Sequence, residues 1–255
     1  MTALVARVSH TPARGQRSGP AVLLLHGFAS DGVADWPADR WAEPLASAGR
    51  DVYVVDLPGH GSAGAIDAVA DVSTAAILAA VDAAIEPGVS FADSESDTGT
   101  LDVVGYSLGA RLAWDFAGTR PHRVRRLVLG GLSPVEPFAA VDTGQLHQFL
   151  ETGTEPIDPL AGIMVQLASA VGRDPRSLLA LVEGLGADAF DPARTPPQCS
   201  TLFVIGADDQ MASASTELVA LISGRPVVVE IVPGDHVGAL AGDDLRCLTL
   251  DFLLD

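Results

Sequence analysis

Residues 101–114, LDVVGYSLGARLAW, constrain the fold of this chain more than any other stretch. The run 101–104 reads as a buried parallel strand. Gly105-Tyr106-Ser107-Leu108-Gly109 follows at once and leads into a helical pattern at Ala110, Leu112, Ala113, Trp114 and Phe116. Strand, G-x-S-x-G and helix in that order form a nucleophile elbow, a sharp turn that holds a serine above the edge of a sheet. The glycines have a steric reason, because side chains at 105 and 109 would collide with the neighbouring strand and helix. Ser107 then sits at a helix N-terminus, where unpaired N–H groups favour developing negative charge. In a chain with 26 glycines the five-residue pattern alone says little, and the flanking strand and helix make it specific.

The rest of the chain repeats the strand-to-helix alternation. Residues 3–9 alternate loosely, as an edge strand does. Residues 21–25 form a continuous apolar strand ending in His26-Gly27-Phe28, and a helix is expected near 37–48. Strand 52–55 closes on Asp56-Leu57-Pro58-Gly59-His60-Gly61, and 72–85 has helical spacing. Residues 86–100, rich in Ser, Asp and Gly, read as an exposed loop. Strand 124–129 follows the elbow helix. After the interruption described below come strand 201–205, helix 214–222, strand 227–232 and helix 243–254. Alternation of this kind predicts an α/β fold with a doubly wound, mostly parallel sheet covered on both faces. Functional groups then gather beyond the carboxyl ends of the strands.

Residues 133–197 break the rhythm. They contain no clear strand, three short helical runs (145–150, 160–171 and 177–185) and many Pro and Gly breaks. They read as an inserted helical cap, dividing the chain into a core domain, 1–132 and 198–255, and a cap, 133–197. Apolar cap positions Ile163, Met164, Val165, Leu167, Leu178, Leu179, Leu181 and Val182 fall at helical spacing. Most must bury the cap against the core, while a minority line a pocket roof. Acidic positions Glu136, Asp142, Glu151, Glu155 and Asp158 suggest an acidic rim.

A net charge of −18, from 33 acids and 15 bases that are all arginine, repels nucleic acid and anionic membranes. Codon bias in a GC-rich genome accounts for the absence of lysine and asparagine more simply than salt adaptation. No apolar run reaches the length of a membrane span, and the N-terminal MTALVARVSHTPARG lacks the apolar core of a secretion signal, so a cytoplasmic location is expected. Two cysteines, Cys199 and Cys247, are too few for a disulfide framework and read as reduced, buried thiols. No His/Cys/Asp cluster has metal-ligand spacing, and neither a metal nor a cofactor is expected. The oligomeric state stays open.

Serine is a poor nucleophile unless a base takes its proton and an acid orients that base. After Ser107, strand 201–205 ends in Gly206-Ala207-Asp208-Asp209, and strand 227–232 ends in Pro233-Gly234-Asp235-His236. Of six histidines, His236 alone follows both serine and acid, and the order Ser, Asp, His is the one expected with this elbow. Either Asp208 or Asp209 can supply the acid.

With HGF at 26–28, DLPGHG at 56–61, GYSLG at 105–109, GADD at 206–209 and PGDH at 233–236, the sequence resembles the α/β-hydrolase superfamily over nearly its whole length. The resemblance implies Ser107 as nucleophile, His236 as base and Asp209 as acid, with Asp208 the alternative. It places the oxyanion hole at the backbone N–H groups of Phe28 and Leu108, with His26 bracing that loop and His60 structural. Departures are the single strand before residue 21, Gln210 and Met211 after the acid, and Ala110 in place of a common third glycine. The expected activity is hydrolysis of neutral short- to medium-chain or aryl carboxylic esters through an acyl-enzyme, with a small-molecule ester as partner. The alternative is a lyase resembling the menaquinone-pathway succinyl-cyclohexadiene carboxylate synthase, which Arg111 matches. Against it, 133–172 contains no arginine and the cap no tryptophan. Arg111 then reads as a salt-bridge partner. A lactonase, perhydrolase, C–C hydrolase or triad-retaining ligand receptor are further alternatives on the same scaffold.

Overall fold

Strands whose two faces are both apolar need cover on both sides, and the sheet of this protein is built that way. The computed structural model describes residues 3–86 and 100–255. In chain order the elements are β1 (Arg7–Thr11), β2 (Ala21–Leu25), α1 (Gly32–Asp35), α2 (Ala42–Ser47), β3 (Val52–Asp56), α3 (Thr74–Ile85), β4 (Leu101–Tyr106), α4 (Leu108–Thr119) and β5 (Val124–Gly130). There follow α5 (Thr143–Thr152), α6 (Pro159–Ala168), α7 (Pro175–Ala187), β6 (Ser200–Gly206), β7 (Val227–Val232), α8 (His236–Ala241) and α9 (Asp243–Leu254). The seven strands lie in the order β1-β3-β2-β4-β5-β6-β7. β1 pairs antiparallel with β3, and the other five pairings are parallel.

Side chains alternate across each strand. Leu23, Leu25, Val103, Leu127, Leu129 and Phe203 face a core shared with Trp114 and Phe116 of α4. Val22, Leu24, Val104, Val128, Leu202 and Val204 face the opposite core with Trp36, Trp41 and Leu245. Asp102 interrupts this apolar pattern inside β4 and is fully buried. Its carboxylate accepts from Arg50 and, at 2.9 and 2.6 Å, from Arg125. The same arginines donate to Leu253 O at 3.0 and 2.8 Å, so the cluster also satisfies a carbonyl at the end of α9.

Several local expectations change. The edge strand forms at Arg7–Thr11 rather than 3–9. Residues 37–41 turn instead of continuing a helix, with the Arg40 and Trp41 N–H groups both donating to Pro37 O. Residues 214–222 yield only a 3-10 turn, Ser215–Leu221. There the Ser215 hydroxyl reaches Ala212 O at 2.6 Å and also Leu132 O, a local side-chain bond that competes with an α-helical ladder. Cys199 is buried, and burial pushes its thiol up to about 11, whereas Cys247 lies on the outward face of α9 and is exposed. Of the expected loop 86–100, residues 87–99 lie outside the described residues.

Between β5 and β6 the chain runs through a 3-10 turn (Pro137–Ala140) and helices α5 to α7. α7 presses closely on the segment before α3, since a Cβ at Gly184 would lie 2.4 Å from the Val72 Cβ.

Candidate active site

Ser107 stands between β4 and α4 with φ 53° and ψ −116°. Ser107 and Ala29 are the two non-glycine residues with positive φ among the described residues. Such a conformation costs about 1–3 kcal/mol and persists only where the surroundings enforce it. Two glycines permit the turn that imposes it. A Cβ at Gly105 would lie 2.2 Å from Gly109 O, and one at Gly109 would lie 2.0 Å from Leu25 O. The Ser107 N–H donates to Gly130 O at 2.9 Å, fixing the elbow against β5.

His236 enters from the far side of the sheet. Gly234 (φ 107°) turns the chain after β7, and Asp235 caps α8 by accepting from the Val237 and Gly238 N–H groups. His236 Nε2 lies 2.9 Å from Ser107 Oγ, and Nδ1 lies 2.7 Å from Asp209 Oδ2. These partners assign the tautomer: Nδ1–H donates to the carboxylate, and the Nε2 lone pair faces the serine hydroxyl. Asp209 is buried at the end of β6, and its other oxygen accepts from the Met211 and Ala212 N–H groups at 3.0 and 3.1 Å. Asp208 is exposed. Of the two neighbouring acids, Asp209 meets the histidine. Tyr106 contributes a contact that sequence patterns do not signal: its hydroxyl donates to His236 O at 2.6 Å.

Leu108 follows Ser107 directly, and Phe28 lines the same cavity. Leu108 N–H belongs to the first turn of α4, whose donors have no intrahelical acceptor. Among the described residues, neither N–H donates to a backbone carbonyl or a side chain. The Phe28 loop is held on both sides, with the Gly27 N–H donating to Asp35 Oδ2 at 2.7 Å and the Ala29 N–H to His60 Nε2 at 3.0 Å. His26 Nε2 accepts from the Leu57 N–H at 3.0 Å. Burial pushes both histidines down, His60 to about 3, and keeps them the neutral acceptors these bonds require. Asp35 carries no recognisable motif, and only its place in α1 brings it under the loop.

A cavity of about 310 Å³ opens over Ser107 and His236. Phe28, Leu108, Pro137 and Phe138 line it, together with Leu160, Ile163, Met164 and Leu167 of α6. Of the apolar positions read from the sequence, Ile163, Met164 and Leu167 thus line the cavity. Val165, Leu178, Leu179, Leu181 and Val182 are buried in the core. The expected acidic rim does not form. Asp142 and Asp158 cap α5 and α6 instead, Glu151 and Glu155 are exposed, and none of the four lines the cavity. Glu136 does line it, as does Arg111, and their side chains approach to 2.9 Å. Among the described residues, no group of three His, Cys, Asp or Glu side chains is placed to hold a metal ion. Among the same residues, no helix is long and apolar enough to cross a membrane.

A pimeloyl-[acyl-carrier protein] methyl ester esterase from Chromobacterium violaceum is 34% identical over 121 residues, covering 46% of this chain and 38% of that protein. A 2-hydroxy-6-oxononadienedioate/2-hydroxy-6-oxononatrienedioate hydrolase from Cupriavidus pinatubonensis is 34% identical over 160 residues, 60% of this chain and 52% of that protein. The chain thus spans about half, or less, of the length of these curated relatives. Among solved structures, MenH from S. aureus superposes with a TM-score of 0.71 at 17% identity, covering 97% of both chains. The enol-lactonase from Burkholderia xenovorans LB400 gives 0.68 at 17% identity, covering 99% of this chain and 96% of that one. A family model described as alpha/beta hydrolase fold matches residues 20–160, and the sheet order and elbow agree with it. The chain belongs to the α/β hydrolase fold family.

Proposed function

We propose that this protein is a serine hydrolase that cleaves neutral carboxylic esters with short- to medium-chain or aryl groups. The observation that carries the reading is the hydrogen-bonded series Asp209–His236–Ser107, at 2.7 and 2.9 Å, opening on an apolar cavity. His236 Nε2 takes the Ser107 proton as Oγ attacks the ester carbonyl, and buried Asp209 stabilises the imidazolium through Nδ1–H. The carbonyl oxygen becomes an oxyanion that the Leu108 and Phe28 N–H groups receive. The imidazolium then returns its proton to the departing alcohol. Water, deprotonated by His236, attacks the acyl-enzyme and releases the acid. Residues 133–197 act as the cap that closes this space, and each methylene buried beneath α6 adds about 0.8 kcal/mol of binding.

Among the curated relatives, a methyl ester esterase supports the choice of bond, and an apolar wall supports a neutral substrate. The second reading, elimination from a polyanionic substrate by a lyase resembling the menaquinone-pathway enzyme, draws on Arg111 in the cavity wall. Arg111 is already engaged with Glu136 and with Asp188 O, and this pairing favours the esterase. The test is Ser107→Ala assayed on a panel of p-nitrophenyl esters, with a fluorophosphonate probe mapped by mass spectrometry on the wild type. Loss of turnover and a single adduct on Ser107 are expected. Turnover in the variant above about a tenth of wild type would refute the assignment, since nucleophile and base act as a unit.

A further inference from the structure

The wall of the cavity over Ser107 contains one charged pair. Arg111 follows Ser107 by one turn of α4, so its side chain leaves the helix on the same face. Its Nε lies 2.9 Å from Glu136 Oε2, and its Nη2 donates to Asp188 O at 2.8 Å. Only 6% of the arginine side chain and 2% of the glutamate side chain are exposed. Nη1 is buried and has no acceptor among the described residues, and the Nε–Oε2 approach is an ion pair without hydrogen-bond geometry. A guanidinium with an unpaired N–H in an apolar wall attracts a carboxylate. Glu136 changes that, because it places a carboxylate of its own beside the same guanidinium. Its Oε1 is held by the Phe138 N–H at 3.2 Å, and Pro137 and Phe138 continue the cavity side from there.

Resting on the hydrolase reading above, we infer that Glu136 is a specificity-determining residue that masks Arg111. With the pair intact the guanidinium charge is offset, and an incoming carboxylate faces the Glu136 charge. Without Glu136 the guanidinium keeps its tie to Asp188 O and the more distant charges of Asp115 and Asp188, and loses the carboxylate that lies against it in the cavity wall. Burial pushes the Glu136 carboxyl up and the facing Arg111 pulls it down, so assays belong at about pH 8, well above the ordinary carboxylate range.

The experiment compares two substrates that share a leaving group, p-nitrophenyl hexanoate and mono-p-nitrophenyl adipate, which differ by one terminal carboxylate. Wild type should favour the hexanoate in kcat/KM by about tenfold or more, the scale of one close like-charge repulsion in a partly dry site. Glu136→Gln should lower that ratio by about tenfold, and Glu136→Asp, which keeps the charge, should preserve it. The double variant Glu136→Gln with Arg111→Gln, carrying neither charge, should return towards the wild-type ratio. Because each ratio is taken on one protein, partial loss of folded enzyme cancels. Equal use of both esters by wild type, or an unchanged ratio in Glu136→Gln, would overturn the inference while leaving the hydrolase reading intact. Failure of wild type to turn over either ester would instead remove the hydrolase reading, and the masking role with it.

Discussion

His60 gives a sharp test of how the Phe28 loop is held. Its Nε2 accepts the Ala29 N–H at 3.0 Å, a role open only to the unprotonated ring. Burial, and then the neighbouring His26, push its pKa from the ordinary 6.5 down to about 3. The folded protein therefore binds this proton less readily than the unfolded chain does. Stability from this source is complete above the unfolded value of 6.5 and is lost as the pH falls towards the folded value of about 3. Between about pH 7 and about pH 4.5 the loss is on the order of 2–3 kcal/mol for this one ring. Glu136 and Asp115, whose pKa values burial raises, act in the opposite direction and must be subtracted. His60→Gln provides the subtraction, because glutamine retains an acceptor and never titrates. Urea unfolding of both proteins at the two pH values should show wild type losing on the order of 2–3 kcal/mol more than the variant. Parallel losses would refute the claim that a neutral His60 ties down the loop. On a neutral ester near neutral pH, a displaced Phe28 amide in the variant should lower kcat with little change in KM.

Three further outcomes follow from the same geometry. Asp209→Asn should reduce turnover by about 10⁴-fold, while Asp208→Asn, at an exposed position, should be mild; steady-state kinetics showing the reverse ranking would move the acid to Asp208. Asp102→Asn removes the carboxylate that Arg50 and Arg125 share inside the sheet, and should cost about 3–5 kcal/mol in urea unfolding. Gly109→Ala would place a Cβ 2.0 Å from Leu25 O, so the elbow must shift, and fluorophosphonate labelling of Ser107 should slow sharply even where circular dichroism shows a folded protein.

Local patterns were enough to read the sheet and its order of elements. An apolar run closed by a turn marks a parallel strand, and β2, β5, β6 and β7 form at or within one residue of the runs that predicted them, although β7, at the sheet edge, is only partly buried. The three helices between β5 and β6 were legible from spacing for the same reason, their apolar residues recurring on one face. Helix 214–222 failed because periodicity does not register a serine that bonds back to the chain. Asp102 hid inside an apolar reading because its partners come from residues 50 and 125, which no local window contains.

The sequence by itself determined that a serine would stand on a strained turn at the carboxyl end of a central strand, because only glycine at 105 and 109 allows chain to pass that close. It also narrowed the candidate acid to two adjacent residues and the candidate base to one. Tertiary structure decided what distance along the chain conceals: that Asp209 rather than Asp208 turns inward to His236, that Asp35 and His60 hold the Phe28 loop, and that Glu136 meets Arg111. The physical reason is common to all of them. A strand or helix is fixed by neighbours a few residues away, whereas a charge or hydrogen-bond partner is fixed by whichever element packs opposite it, and that is settled only when the sheet has closed its layers.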